Sequence, residues 1–112
     1  MNPNKQRIAI AEACGWVFMD GGNFSGIDYK SVKPPHGLTY TMSHRAAILS
    51  TPDYLVDLNA MHEAEKVLTD KQYNIFALRL GPLTSMRRRQ YISATATQRA
   101  EAFLRTIGKW EE

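Results

Sequence analysis

The sequence holds a single cysteine, Cys14. No intramolecular disulfide can form from one thiol, and a zinc cluster built on cysteines is excluded. Long apolar runs are missing as well. Nowhere do about 18 apolar residues follow one another, so no segment reads as a membrane-spanning helix, and no membrane partner is expected. The opening stretch Met1-Asn2-Pro3-Asn4-Lys5 lacks the apolar centre of a signal peptide, which points to a reducing, cytoplasmic setting. Catalytic signatures are equally scarce. There is no Gly-x-Ser-x-Gly elbow, and Gly21-Gly22 is not followed by the Gly-Lys-Ser/Thr of a phosphate loop. His62-Glu63 sits in a helical stretch, but position 66 is Lys66 where a zincin-type motif needs histidine. His36, His44 and His62 are scattered. Neither a metal site nor a cofactor is expected, and no enzyme assignment is supported.

What is present suits one domain spanning residues 1–112, with 44% hydrophobic residues, enough for a real core. The net charge of +3 is mild, but it is unevenly spread. Residues 71–100 carry Lys71, Arg79, Arg87, Arg88, Arg89 and Arg99 and no acidic side chain. Residues 53–65 carry Asp53, Asp57, Glu63 and Glu65 and no Lys or Arg. Either the two regions pair across the fold, or the positive one meets an anion from outside.

Periodicity and punctuation predict a helix over 4–14, closed by Gly15, and then a strand at Trp16-Val17-Phe18-Met19. Four apolar residues in a row suggest burial on both faces of that strand. Asp20-Gly21-Gly22-Asn23 is a strong turn signal, with a return strand from Phe24 to Tyr29. Residues 30–37 read as a loop, since Pro34-Pro35 forbids a central strand. Leu38 to Ser43 alternates as a half-buried strand, and residues 44–50 suit a helical turn. A second helix is expected from an N-cap at Thr51, with Pro52 at its first position, to about Leu68. Tyr54, Leu58, Met61 and Leu68 make its apolar stripe, and Glu65 falls in the middle of it. That conflict marks a site, an exposed helix end, or a pair with an arginine. Tyr73 to Leu80 leans towards helix and should stop at Gly81-Pro82. Arg87 to Ala94 reads as a strand. Thr95 and Gln98 form a capping box for a last helix with Ala96, Ala100, Phe103, Leu104 and Ile107 inward, closed by Gly108, with Trp110 folding back. The fold class expected is α/β (α+β): a small sheet of three to five strands covered by about three helices, on both faces.

Three segments carry a family likeness: Ile10-Ala-Glu-Ala-Cys-Gly-Trp16, the stretch from Pro52-Asp-Tyr-Leu-Val-Asp-Leu to Val67-Leu68, and the stretch from Ala94-Thr-Ala-Thr-Gln-Arg to Gly108-Lys-Trp110. In content and order they resemble a family of small phage and prophage proteins named for a phage alpha-beta-alpha (ABA) sandwich domain. The resemblance implies a phage origin, the cytoplasm of an infected bacterial host, and helices on both sides of a sheet. It implies no catalytic residues. Residues 17–50 match the family poorly, and Tyr73 to Tyr91 looks shorter than in many members.

The best functional lead is Arg87-Arg88-Arg89. On a strand, Arg87 and Arg89 point one way, about 7 Å apart, where two guanidinium groups can clamp a phosphate through bidentate bonds. Tyr91 continues that face and can stack on a base. The same run equally suits an edge strand guarded by charge, or partners for Asp53, Asp57 and Glu65. A second patch, Trp16, Phe18, Tyr40, His44 and Arg45, mixes aromatic and basic groups fit for a base and its phosphate, although Trp16 and Phe18 also read as core. Asp53 and Asp57 could hold a cation or serve as a base; they also suit simple compensation of a helix dipole. Cys14, at a helix C-terminus where the dipole raises a thiol pKa, reads as a small core residue.

These features favour a non-enzymatic binding protein: a phage-encoded sponge that sequesters a small, anionic, nucleotide-derived immune signal and releases it unchanged, expected to be a homo-oligomer. The sponge idea is an analogy with other phage proteins. The alternatives are a module that inhibits or redirects a host protein through residues 53–65 or the last helix, and a weak nucleic-acid-binding accessory, for which +3 is little charge.

Overall fold

The computed structural model describes residues 1–83 and 94–112. Helix α1, Pro3–Ala13, starts where the Asn2 side chain accepts the Lys5 N–H at 2.8 Å with proline in the first turn. It ends through Gly15, at φ +101°, which lets the Trp16 N–H turn back to the Ala11 carbonyl. Strands β1 (Val17–Phe24), β2 (Ile27–Lys33) and β3 (Tyr40–Ser43) form an antiparallel sheet in the order β1-β2-β3. Helices α2 (His44–Ser50), α3 (Leu58–Glu65), α4 (Asp70–Leu83) and α5 (Ala96–Thr106) follow. Among the described residues this is an α+β fold, a small α/β sandwich of three strands and five helices. None of the described helices is long and apolar enough to cross a membrane.

The core lies among the helices. Ile10, Met61, Ala100, Phe103 and Leu104 are wholly buried, with Phe76 and Leu80 at 1% exposure. Each large side chain of this set contributes about 1.5–3 kcal/mol by leaving water. Tyr54, Ala64, Ala96, Ala11, Ala94 and Ala102 complete the cluster, and Trp16, Phe18 and Cys14 pack against it. The sheet turns one face to the helices. Phe18, Val32 and Tyr40 are cross-strand partners on that face, and Val32 is buried there beside Ala47 and Ile48 of α2. The other face carries Val17, Met19, Phe24 and Ile27, all exposed. The apolar run from Trp16 to Met19 is thus buried on one side, not on two.

The hairpin turn falls later than the sequence suggests. Asp20 to Asn23 belong to β1, where Gly21 is taken up as a bulge between Asp20 and Gly22. A Cβ at Gly21 would sit 3.2 Å from the Tyr29 carbonyl, so a side chain in the bulge would crowd the backbone of β2. The turn itself is Ser25-Gly26, flanked by the Phe24↔Ile27 pair, with φ at +53° and +80°. Two positive values are what a two-residue hairpin needs to match strand twist.

The expected helix from Thr51 also divides. Thr51 instead closes α2: its hydroxyl donates to the Ile48 carbonyl at 2.8 Å. Arg7 then fixes Thr51 from α1, with Nε donating to Oγ1 at 2.9 Å and Nη2 to the Thr51 carbonyl. Helix α3 begins six residues later, where the Asp57 carboxylate accepts the N–H groups of Asn59 and Ala60. Helix α4 continues through Gly81 and Pro82 to Leu83; a proline in a last turn forfeits only one backbone bond. The capping box of Thr95 and Gln98 and the closing Gly108, at φ +75°, form as the sequence indicates. Trp110 folds back onto the core, 4.9 Å beneath the Arg105 guanidinium. The strand expected over Arg87 to Ala94 lies outside the described residues except for Ala94, which is buried.

Candidate functional site

Arg87, Arg88, Arg89 and Tyr91 lie outside the described residues. What the structure places are the carboxylates that would serve as their internal partners. Asp53 lies 3.8 Å from Arg7. Asp57 is occupied in capping α3. Glu65 is buried, 5% exposed, against Arg99 at 8%. Arg99 Nε donates to Glu65 Oε2 at 2.7 Å and Nη2 to Oε1 at 2.5 Å, a bidentate pair. The hydrogen bonds that Arg99 donates to Glu65 hold the Arg99 pKa above its ordinary range, against the desolvation that lowers it. The Phe76 ring lies 5.5 Å beneath the guanidinium. This explains a carboxylate on an apolar stripe: Glu65 points inward because Arg99, on the facing helix, points inward to meet it. The pair forms the floor of a cavity of about 380 Å³ rimmed by His62, Lys66, Asp70 and Tyr73.

The second patch does not assemble into one site. Trp16 is half-buried and stacked on Phe18, with centroids 6.3 Å apart and planes 9° off parallel. Tyr54 is buried in the core cluster, and Cys14 and Trp16 pack against that cluster. Burial pushes the Tyr54 pKa far up and raises that of Cys14, so both groups hold their protons at neutral pH. A thiol in that state is a weak nucleophile. Tyr40, 56% exposed, stands on β3, with β2 between it and β1. At about 4.8 Å per strand, its backbone stands close to 10 Å from that of Phe18. His44 and Arg45 open α2 and are exposed. His44 does meet Phe18, with Ile8, Lys30 and Ile48, around a cavity of about 460 Å³. It also borders a groove of about 750 Å³ along α1, where Ile8, Ala9 and Ile107 form an apolar lining and Lys5 and Glu111 face each other at 3.6 Å.

Asp53 and Asp57 do not form a cation site: one faces an arginine and the other caps a helix. Among the described residues no three of His, Cys, Asp and Glu come close enough to share a metal ion. Sequence reading missed Arg7, whose guanidinium reaches the Leu49 and Thr51 carbonyls and Asp53. It also missed Gln6, buried with its Nε2 donating to the Met1 carbonyl at 3.0 Å and its Oε1 unpartnered. Neither residue has a local sequence signal, because both serve contacts made only on folding.

Compared with protein-family models, with curated proteins and with solved structures, the chain matches none.

Proposed function

We propose that this chain is a non-catalytic binding protein that takes up a small, negatively charged, nucleotide-like molecule at Arg87-Arg88-Arg89, with Tyr91 beside them. One observation supports this reading: Asp53, Asp57 and Glu65, the acidic groups that the sequence offers as internal partners for the run, each have another contact among the described residues, to Arg7, to the backbone of α3 and to Arg99. Three successive guanidinium groups repel one another, and an incoming phosphate relieves that repulsion through bidentate hydrogen bonds. Tyrosine then adds a stacking surface for a base. Within the phage setting implied by the resemblance, the molecule is a nucleotide-derived signal of host immunity, held and released intact.

Titration calorimetry with a panel of cyclic nucleotides and ADP-ribose derivatives tests the reading. Binding tighter than about 10 μM is expected for at least one compound, weakened at least tenfold, to order of magnitude, in R87A/R89A. The bound compound should be recovered chemically unchanged, which separates a sponge from a hydrolase. No binding in that range to any member of the panel removes the reading. A host-protein contact through residues 53–65 has less to stand on, since Glu65 is buried, Asp53 faces Arg7, and Glu63 is paired with Lys66 at 2.8 Å. Retention on DNA at physiological salt would favour the nucleic-acid alternative instead.

A further inference from the structure

We infer that the open face of the β-sheet is a self-association surface, covered in solution by the same face of a second copy of this chain. The antiparallel register puts Val17, Met19, Phe24, Ile27, Tyr29, Ser31, Lys33 and Thr41 on one side of the sheet. Phe18 and Val32, on the other side, meet the helices. Val17, Met19, Phe24 and Ile27 are 45%, 58%, 66% and 47% exposed. Together they leave roughly 400 Å² of apolar surface in water, comparable to the largest patch on an ordinary monomer, which is often functional. Within the patch Phe24 packs edge-on against Tyr29, ring centroids 6.0 Å apart at 68°.

Area, charge and the strand edge choose the occupant. A stable pair of proteins buries about 800 Å² on each partner. The four apolar side chains supply about half of that, and Tyr29, Ser31, Thr41 and the Lys33 stem extend the same face. Lys33 is the one charge on it, so an acidic or basic partner finds little to complement. A second copy related by a two-fold axis fits better. It sets each Lys33 over the other's Phe24–Ile27 end, keeping the two ammonium groups roughly 20 Å apart at 3.3 Å per residue, beyond the range of screened repulsion. Strand-to-strand addition along the edge of β1, which pairs with no second strand among the described residues, is disfavoured by the bulge at Gly21 and by the charge of Asp20, which pairs with Lys30 on the helix side. Face-to-face stacking of two sheets, about 10 Å apart, is the arrangement that covers the apolar side chains of this face. It makes no use of residues 84–93, so it stands or falls apart from the anion reading.

Sedimentation velocity on the full chain, from about 1 to 300 μM, reads the association directly. The expected result is a reversible doubling of the 12.7 kDa monomer mass. Lysine at either of two points on the face, M19K or F24K, should weaken association at least tenfold, to order of magnitude. Leu78→Lys, at a 78% exposed position on α4, should leave it unchanged. Circular dichroism and the Tm confirm that each variant is folded. A wild-type chain that stays monomeric across the range overturns the inference, and needs no variant. So does a dimer that survives in folded M19K and F24K, since its interface would lie elsewhere.

Discussion

Among the helices, Ile10, Met61, Phe76, Leu80, Phe103 and Leu104 have at most 1% of their surface in water. In the β1-β2 hairpin only Val32 is buried to that degree, while Val17, Met19, Phe24 and Ile27 stay about half open. Both regions are rich in large apolar side chains, yet one spends them on the core and the other displays them. Stability therefore resides in the helical end. The hairpin is held by its backbone ladder, by the Ser25-Gly26 turn and by the Asp20–Lys30 pair, and its outer side chains are available for contact. Hydrophobicity alone does not separate these roles. What separates them is whether a second element arrives on the same face.

The largest expected effect breaks this contrast or upholds it. Phe103→Ala should cost roughly 3–5 kcal/mol in urea unfolding, because a wholly buried ring leaves a cavity. Met19→Ala at low protein concentration should cost under about 0.5 kcal/mol. Equal losses at the two sites would mean that the hairpin face is part of the core. Next comes the buried ion pair. Glu65→Ala strands the Arg99 guanidinium in an apolar setting and should cost about 3 kcal/mol, whereas Glu65→Met with Arg99→Leu should recover most of it. A double variant no better than the single would show that the pair does more than satisfy itself.

The smallest effect sharpens the boundary where sheet meets helices. Tyr54→Phe should cost no more than about 1 kcal/mol, since it removes only the hydroxyl of a buried side chain. It should also change the response to alkali. Cys14 and Tyr54 have pKa values raised by burial above their ordinary 9.0 and 10.0. Well below pH 9 both groups are protonated, folded or unfolded, and their contribution is fully present. As pH rises past 9 the unfolded chain gives up protons that the folded chain retains, so stability falls. Melting temperatures should be level from pH 7 to 8.5 and decline above 9, with a shallower decline above 10 in Tyr54→Phe. A Tm that climbs above pH 9 would contradict the buried arrangement.

Much of the helical end was legible in the sequence because its signals are local. Gly15, the Thr95–Gln98 box and Gly108 act within a few residues of where they stand, and the Ala96-Ala100-Phe103-Leu104 stripe follows helix geometry alone. Glu65 could be flagged on its stripe, but the choice among its possible roles waited on Arg99, 34 positions away. The turn misled for a different reason. Asp20-Gly21-Gly22-Asn23 and Ser25-Gly26 both suit a reversal, and only the pairing of β1 with β2 selects the second.

Sequence alone determined the helix ends at α1 and α5, the presence of a small sheet among helices, and the uneven charge, since each depends on neighbouring residues or on composition. Tertiary structure decided which face of the sheet is covered, where Asp57 rather than Thr51 starts a helix, and which arginine takes Glu65. Those outcomes depend on contacts between segments tens of residues apart, and a linear pattern carries no record of which segments will meet.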